Sequence, residues 1–155
     1  MATTKVYTKA SASMMGSSTA GNAPNIDWLS DNIYIGLCTS SYSPSQTADE
    51  FWSTPVANES TGGTGYTTNG ALLGTKTLVN AGSVTTIGAA SPAAWVASGG
   101  GFAAAYAVIY DRTPGSDATR PLIAYIDFGG TKTLAAGDTL TITFTGGNIA
   151  TWTVS

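Results

Sequence analysis

The feature that most constrains this chain is a two-residue rhythm, clearest over residues 139–145, Thr-Leu-Thr-Ile-Thr-Phe-Thr. On an extended backbone Leu140, Ile142 and Phe144 fall on one side and the four threonines on the other. That period is the period of a β-strand with one dry face and one wet face; a helix would spread these side chains around its circumference. Leu122, Ala124, Ile126 and Phe128 repeat the scheme. Short apolar runs rich in Val, Ile, Thr, Tyr and Phe predict strands at 33–38, 71–79, 84–88, 93–97, 102–110, 121–128, 139–145 and 149–154. Residues 102–110 are apolar on both faces, which places them mid-sheet or under a neighbouring subunit.

Gly146-Gly147-Asn148 tolerates positive φ and predicts a hairpin turn between the last two strands. Helix signals are weak, with one or two turns expected over residues 47–52. About eight short strands separated by turn residues describe an all-β, antiparallel β-sandwich, jelly-roll-like, with minimal helix. Residues 1–25 are small and polar with almost no large aliphatics; they predict an extended N-terminal arm outside the core, free to clamp a neighbouring subunit. Residues 26–155 then form the sandwich domain.

Composition says what surrounds those strands. Apolar residues make up 43% of the chain, enough for a core and too many for global disorder. Charged residues are only 10%, well below the ~25% of an average soluble domain. Ser and Thr fill 41 positions, so the outer skin is largely hydroxyl. A surface this poor in charge suits a chain much of whose exterior is covered by partners. The six basic residues are scattered and offer no patch for phosphates, which argues against nucleic-acid binding. The longest apolar run, 102–110, is far short of the ~20 residues of a membrane helix, and residues 1–18 lack the apolar stretch of a signal peptide. The expectation is a chain made in the cytoplasm that binds neither nucleic acid nor membrane.

The chain contains no histidine and one cysteine. The commonest general base is therefore missing, and with it every Ser-His and Cys-His arrangement. One cysteine without histidine cannot build a standard zinc site, and no Asp-x-Asp-x-Asp spacing exists for calcium. Cys38, within an apolar run, reads as a small buried hydrophobe. A glycosidase needs only two carboxylates, and Asp127 or Glu59 could serve in principle, but solvated or turn-capping acids are the better reading of each. Residues 61–66, Thr-Gly-Gly-Thr-Gly-Tyr, lack the Gly-Lys-Ser/Thr of a phosphate loop and read as a turn. No catalytic, cofactor-binding or metal-binding residue is expected, and no cofactor.

Candidate partner contacts are four. Trp28 and Trp52 stand in loop-like segments, either as anchors at a subunit contact or as loop residues covering the core. Trp95 and Trp152 lie in predicted strands and read as core. Arg112 and Arg120 bound a loop, 111–120, that carries four of the fifteen charges. That loop is either a wet hairpin tip or a prong that touches a partner.

Several stretches also carry a resemblance. They are Ile33-Tyr34-Ile35-Gly36-Leu37-Cys38, then Tyr42-Ser43-Pro44-Ser45, Glu59, and residues 62–70 reading GGTGYTTNG with Leu72-Leu73 behind them. Last come residues 107–111, Ala-Val-Ile-Tyr-Asp, and 122–129, Leu-Ile-Ala-Tyr-Ile-Asp-Phe-Gly. Over residues 26–154 this resembles small structural proteins of tailed bacteriophages, including capsid decoration (cement) proteins. The resemblance implies a jelly-roll, often a homotrimer, mounted on the capsid exterior and tying neighbouring major-capsid subunits together. It brings no enzymatic residues; the matching Glu59, Gly65, Tyr66, Gly70 and Asp111 look like fold-defining turns. The leader 1–25 has no counterpart in it. A second class stays open: a tail, fibre or lectin-like module binding host glycans through Trp and Tyr. A glycosidase using two carboxylates is the third.

Overall fold

A computed structural model describes residues 3–15, 25–61 and 64–153. Among the described residues there are ten strands: β1 (Thr3–Val6), β2 (Ile33–Cys38), β3 (Ala71–Leu72), β4 (Thr77–Ala81), β5 (Val84–Gly88), β6 (Trp95–Val96), β7 (Phe102–Asp111), β8 (Leu122–Leu134), β9 (Thr139–Leu140) and β10 (Asn148–Thr153). One α-helix, α1 (Thr8–Met14), and two 3₁₀ turns, Pro55–Asn58 and Thr145–Gly147, complete the elements among these residues. The chain is all-β, and every strand pairing is antiparallel. A five-stranded sheet runs β1-β8-β7-β2-β3, beside a three-stranded sheet β10-β5-β4 and a two-stranded β6-β9.

The centre of the five-stranded sheet is buried on both faces because its central strands are apolar on both. Along β2, Ile33, Ile35 and Leu37 face the smaller sheets, meeting Ile87, Trp95, Ile142, Phe144 and Ile149 in the larger core. The alternate positions face the other way: Cys38 joins Tyr7, Ala10, Tyr42, Trp52, Val108, Tyr110, Leu122 and Tyr125 in a second core. That second core is roofed by α1 and the irregular 39–58 segment rather than by a sheet. β7 lies between β8 and β2, mid-sheet, as its two apolar faces require.

Two bulges re-aim side chains. Pairing of β7 with β8 shifts between Ala104 and Tyr106, and again between Ile109 and Tyr110. Residues skipped in this way reverse the facing of everything beyond them. Leu122 therefore enters the second core while Ala124, Ile126 and Phe128 enter the first, so the four residues do not share one face as their spacing implies.

Other expectations need correction. Residues 1–25 are not an arm outside the core, so far as residues 3–15 are concerned. Thr3–Val6 pair with Asp127–Ala124 of β8, and Tyr7, Ala10 and Ser13 are buried. The physical reason is the polar edge of β8, whose backbone groups β1 satisfies, and one well-placed aromatic: the Tyr7 hydroxyl meets that of Tyr42 at 2.7 Å. Residues 16–24 and the Gly62-Gly63 pair of the resemblance lie outside the described residues.

The predicted strand 71–79 is broken at 73–76, where Leu73 turns into the core, and its second half begins a separate hairpin. Residues 139–145 alternate between exposed threonines and inward Leu140, Ile142 and Phe144 as expected, yet only Thr139–Leu140 join a ladder. Gly146 and Gly147 do adopt positive φ, but the strands flanking them enter different sheets, so no hairpin forms there. The helical turn expected at 47–52 is instead a pair of turns leading to the 3₁₀ turn at Pro55–Asn58.

Candidate interaction surface

The four candidate contact residues do not form one surface. Trp52 is fully buried in the second core, stacked on Tyr110 with ring centroids 4.1 Å apart and planes 5° apart. It also covers Gly36, where a Cβ would come within 2.6 Å of its ring. Trp28 is buried in the first core, on the opposite side of the main sheet. Its indole N–H donates to the carbonyls of Thr77 (3.0 Å) and Gly88 (3.2 Å). Both are core residues of loop segments: Trp52 fills the surface that Tyr110 and Gly36 present, and Trp28 is held by the backbone acceptors of Thr77 and Gly88. Neither offers a stacking face to a sugar.

The 111–120 loop is tied inward. Arg120 pairs with Asp117 and donates from Nε to the Pro114 carbonyl at 3.1 Å, leaving its side chain 15% exposed. The Trp52 N–H donates to the Arg120 carbonyl at 2.9 Å, so these two predicted residues do meet, through backbone. The Arg112 guanidinium sits 4.8 Å from the centroid of Tyr34.

Buried polar groups of the resemblance serve as joints. One oxygen of Glu59 accepts from the Tyr66 hydroxyl and the Asn69 N–H, each at 2.5 Å, while the Tyr66 oxygen accepts from Leu37 N–H at 3.0 Å. This fastens Glu59, Tyr66 and Asn69 to β2 near its C-terminal end. Burial pushes the Glu59 carboxyl above its ordinary range, against the lowering effect of those two donors. Asp111, 1% exposed, is likewise pushed up by burial and by the neighbouring Asp31, although Thr113 donates to it. Gly70, with φ of 76°, passes so close to β2 that a Cβ would lie 2.0 Å from the Ile35 carbonyl oxygen. The Cys38 thiol is buried against the Pro55 carbonyl, and burial pushes it up, which leaves it a poor nucleophile. Among the described residues no three acidic, Cys or His side chains gather to hold a metal ion, and no helix is long and apolar enough to cross a membrane.

The surface that sequence reasoning missed is the β4–β5 hairpin. Every residue from Thr77 to Ser83 is exposed, whereas β5 becomes buried at Ile87. The hairpin thus projects from the body, and its root is pinned: Trp28 holds Thr77 and Gly88, and the Lys76 ammonium donates to the Asp31 carbonyl. Leu78 overhangs an apolar groove of about 540 Å³ whose other walls include Met14, Met15, Ile87 and Trp152. Met15 is 80% exposed, and Trp152 donates to the Ser11 hydroxyl at 3.0 Å. A signal was present, since residues 77–110 contain no Asp, Glu, Lys or Arg. Reading 71–79 as one strand concealed it.

Comparison with family models, with curated proteins and with solved structures finds no match to this chain in any of the three.

Proposed function

We propose that this chain is a virion structural protein that decorates a phage capsid and stabilises it by binding across major-capsid subunits. The observation that carries the reading is an uncharged stretch of chain that still exposes large apolar side chains. Leu78, Val79 and Val96 are each more than half exposed within the span 77–110, which contains no Asp, Glu, Lys or Arg. Large apolar side chains left in water on a well-packed body mark a surface meant to be covered. A jelly-roll-like origin for the sandwich is part of the same proposal, supported by its wholly antiparallel strands and layered cores.

The mechanism is additive contact. A protein that binds the assembled shell and not its free subunits stabilises the shell by mass action. A standard interface covers about 800 Å² per partner, which an uncharged, hydroxyl-rich face can supply without paying to desolvate ions. The test adds purified protein to empty shells of the major capsid protein it accompanies, followed by co-sedimentation and thermal disruption of the shells. Saturable binding with a raised disruption temperature is expected. Protein that stays in the supernatant at every concentration would remove the proposal.

A further inference from the structure

Among the described residues, the projecting hairpin leaves one flank of the three-stranded sheet without a neighbour. β4 is paired to β5 along all five residues and, among the described residues, to nothing on its other side. Leu78 and Val79, 52% and 54% exposed, point to opposite faces. An unpaired edge is a template for another strand, and proteins guard such edges with charge, proline, a bulge or a covering element. Residues 77–81, Thr-Leu-Val-Asn-Ala, carry no charge and no proline, and their register with β5 is unbroken.

The turn at Gly82-Ser83 dictates which backbone groups are free. A two-residue turn closes on a hydrogen-bonded pair, here Ala81 with Val84. Bonded and non-bonded pairs alternate along an antiparallel ladder, so Thr77 and Val79 also spend their groups on β5. Leu78 and Asn80 then direct N–H and C=O outward.

We propose that β4 is a self-association edge, and that two copies pair β4 to β4, antiparallel, about a two-fold axis through Val79. In that register Leu78 of each copy lies opposite Asn80 of the other, and every outward-facing group of the two strands is used. The two Val79 side chains meet on the axis, and the apolar grooves beneath Leu78 become continuous across it. A second copy fits better than a foreign partner for two reasons. A two-fold axis supplies the missing edge by identity. Each copy carries a net charge of −3, yet the span 77–110 is uncharged, so the paired strands themselves meet without like charges opposite each other and an oppositely charged partner gains nothing along them. Of the charges beside the strand, Lys76 is engaged with the Asp31 carbonyl, and Asp27 on the groove wall accepts from the Leu29 and Ser30 N–H groups of its own loop.

The inference rests on reading the chain as an assembly protein, and its test is separable from shell binding. Light scattering over a concentration series should give a two-copy mass for the native chain. Val79→Lys removes the Val79 contact on the axis as well as placing like charges directly opposite each other, and should weaken self-association by about tenfold or more. Because Val79 is exposed, the circular dichroism of that variant should match the native chain, and its melting temperature should match that of the native chain diluted until it is monomeric. Val79→Cys should form a covalent dimer on mild oxidation, since facing Cα atoms of a non-bonded pair lie within disulfide reach. Val96→Cys, 55% exposed but away from this edge, should not, and Cys38 is too buried to contribute. A native chain that stays monomeric, or a larger species, trimeric or otherwise, that survives Val79→Lys unchanged, overturns the proposal. A Val79→Lys chain that turns monomeric yet still binds shells upholds both readings; native dimers that ignore shells sink decoration alone.

Discussion

Replacing Trp52 separates a core residue from a partner anchor. Trp52 is wholly buried, lies flat on Tyr110 and shields Gly36. Truncating such a side chain to alanine costs about 3–5 kcal/mol, the sum of lost transfer energy and the cavity left behind. No hydrogen bond is lost with it, because among the described residues the Trp52 indole N–H has no acceptor. Removing that orphan donor returns about 1–3 kcal/mol, which brings the expected net cost of Trp52→Ala to about 2 kcal/mol. In a chain of this length each kcal/mol moves the midpoint by about 2–4 °C, so melting should fall by roughly 6 °C. Trp52→Phe keeps one ring on Tyr110 and sheds the orphan N–H; the two effects oppose each other, and it should lie within about 1 kcal/mol of the native chain. Thermal and urea denaturation followed by circular dichroism measures both. A Trp52→Ala chain melting within about 2 °C of native would refute the packing argument and return Trp52 to the surface role its loop position allows.

Two further outcomes follow from the same geometry. Deleting residues 1–7 strips β1 from β8 and removes Tyr7, whose hydroxyl bonds Tyr42; the chain should lose cooperative melting or fall by more than the Trp52→Ala variant, and a deletion that melts like native would show that the strand contributes nothing. Glu59 and Asp111 both carry carboxyls pushed up by burial, so the folded chain holds their protons more tightly than the unfolded one. Their contribution to stability is therefore complete below the ordinary values of 4.5 and 3.8 and is lost as pH rises through the raised ones. Urea midpoints measured from neutral to mildly acidic pH should show a gain on acidification that shrinks in Glu59→Gln, and an unchanged slope in that variant would count against the buried joint.

The alternation of apolar and hydroxyl side chains was enough to announce strands, because side-chain facing on an extended backbone is a local property. β2 and β5 occupy the predicted residues 33–38 and 84–88 without adjustment. The inward set Leu140, Ile142 and Phe144 was equally legible, even though most of that segment joins no ladder. Local pattern could not say where the phase breaks. The bulges that divert Leu122 from Ala124 arise from how β7 and β8 meet, and neither strand encodes them alone.

Pairing partners were likewise beyond reach. Thr3–Val6 carry no apolar stripe, and they become a strand only because the edge of β8 has backbone groups to satisfy. Trp28 and Trp52 look the same in sequence whether they anchor a partner or roof a core; what buries them is contributed by Tyr110, Gly36, Thr77 and Gly88, residues distant along the chain. Exposure of β4 is decided in the same way, by which strands arrive beside it and which do not. Periodicity is written residue by residue, so the chain alone set β2, β5 and the inward facing of Leu140, Ile142 and Phe144; edges, pairing partners and burial are relations between distant segments, and only the assembled tertiary structure creates them.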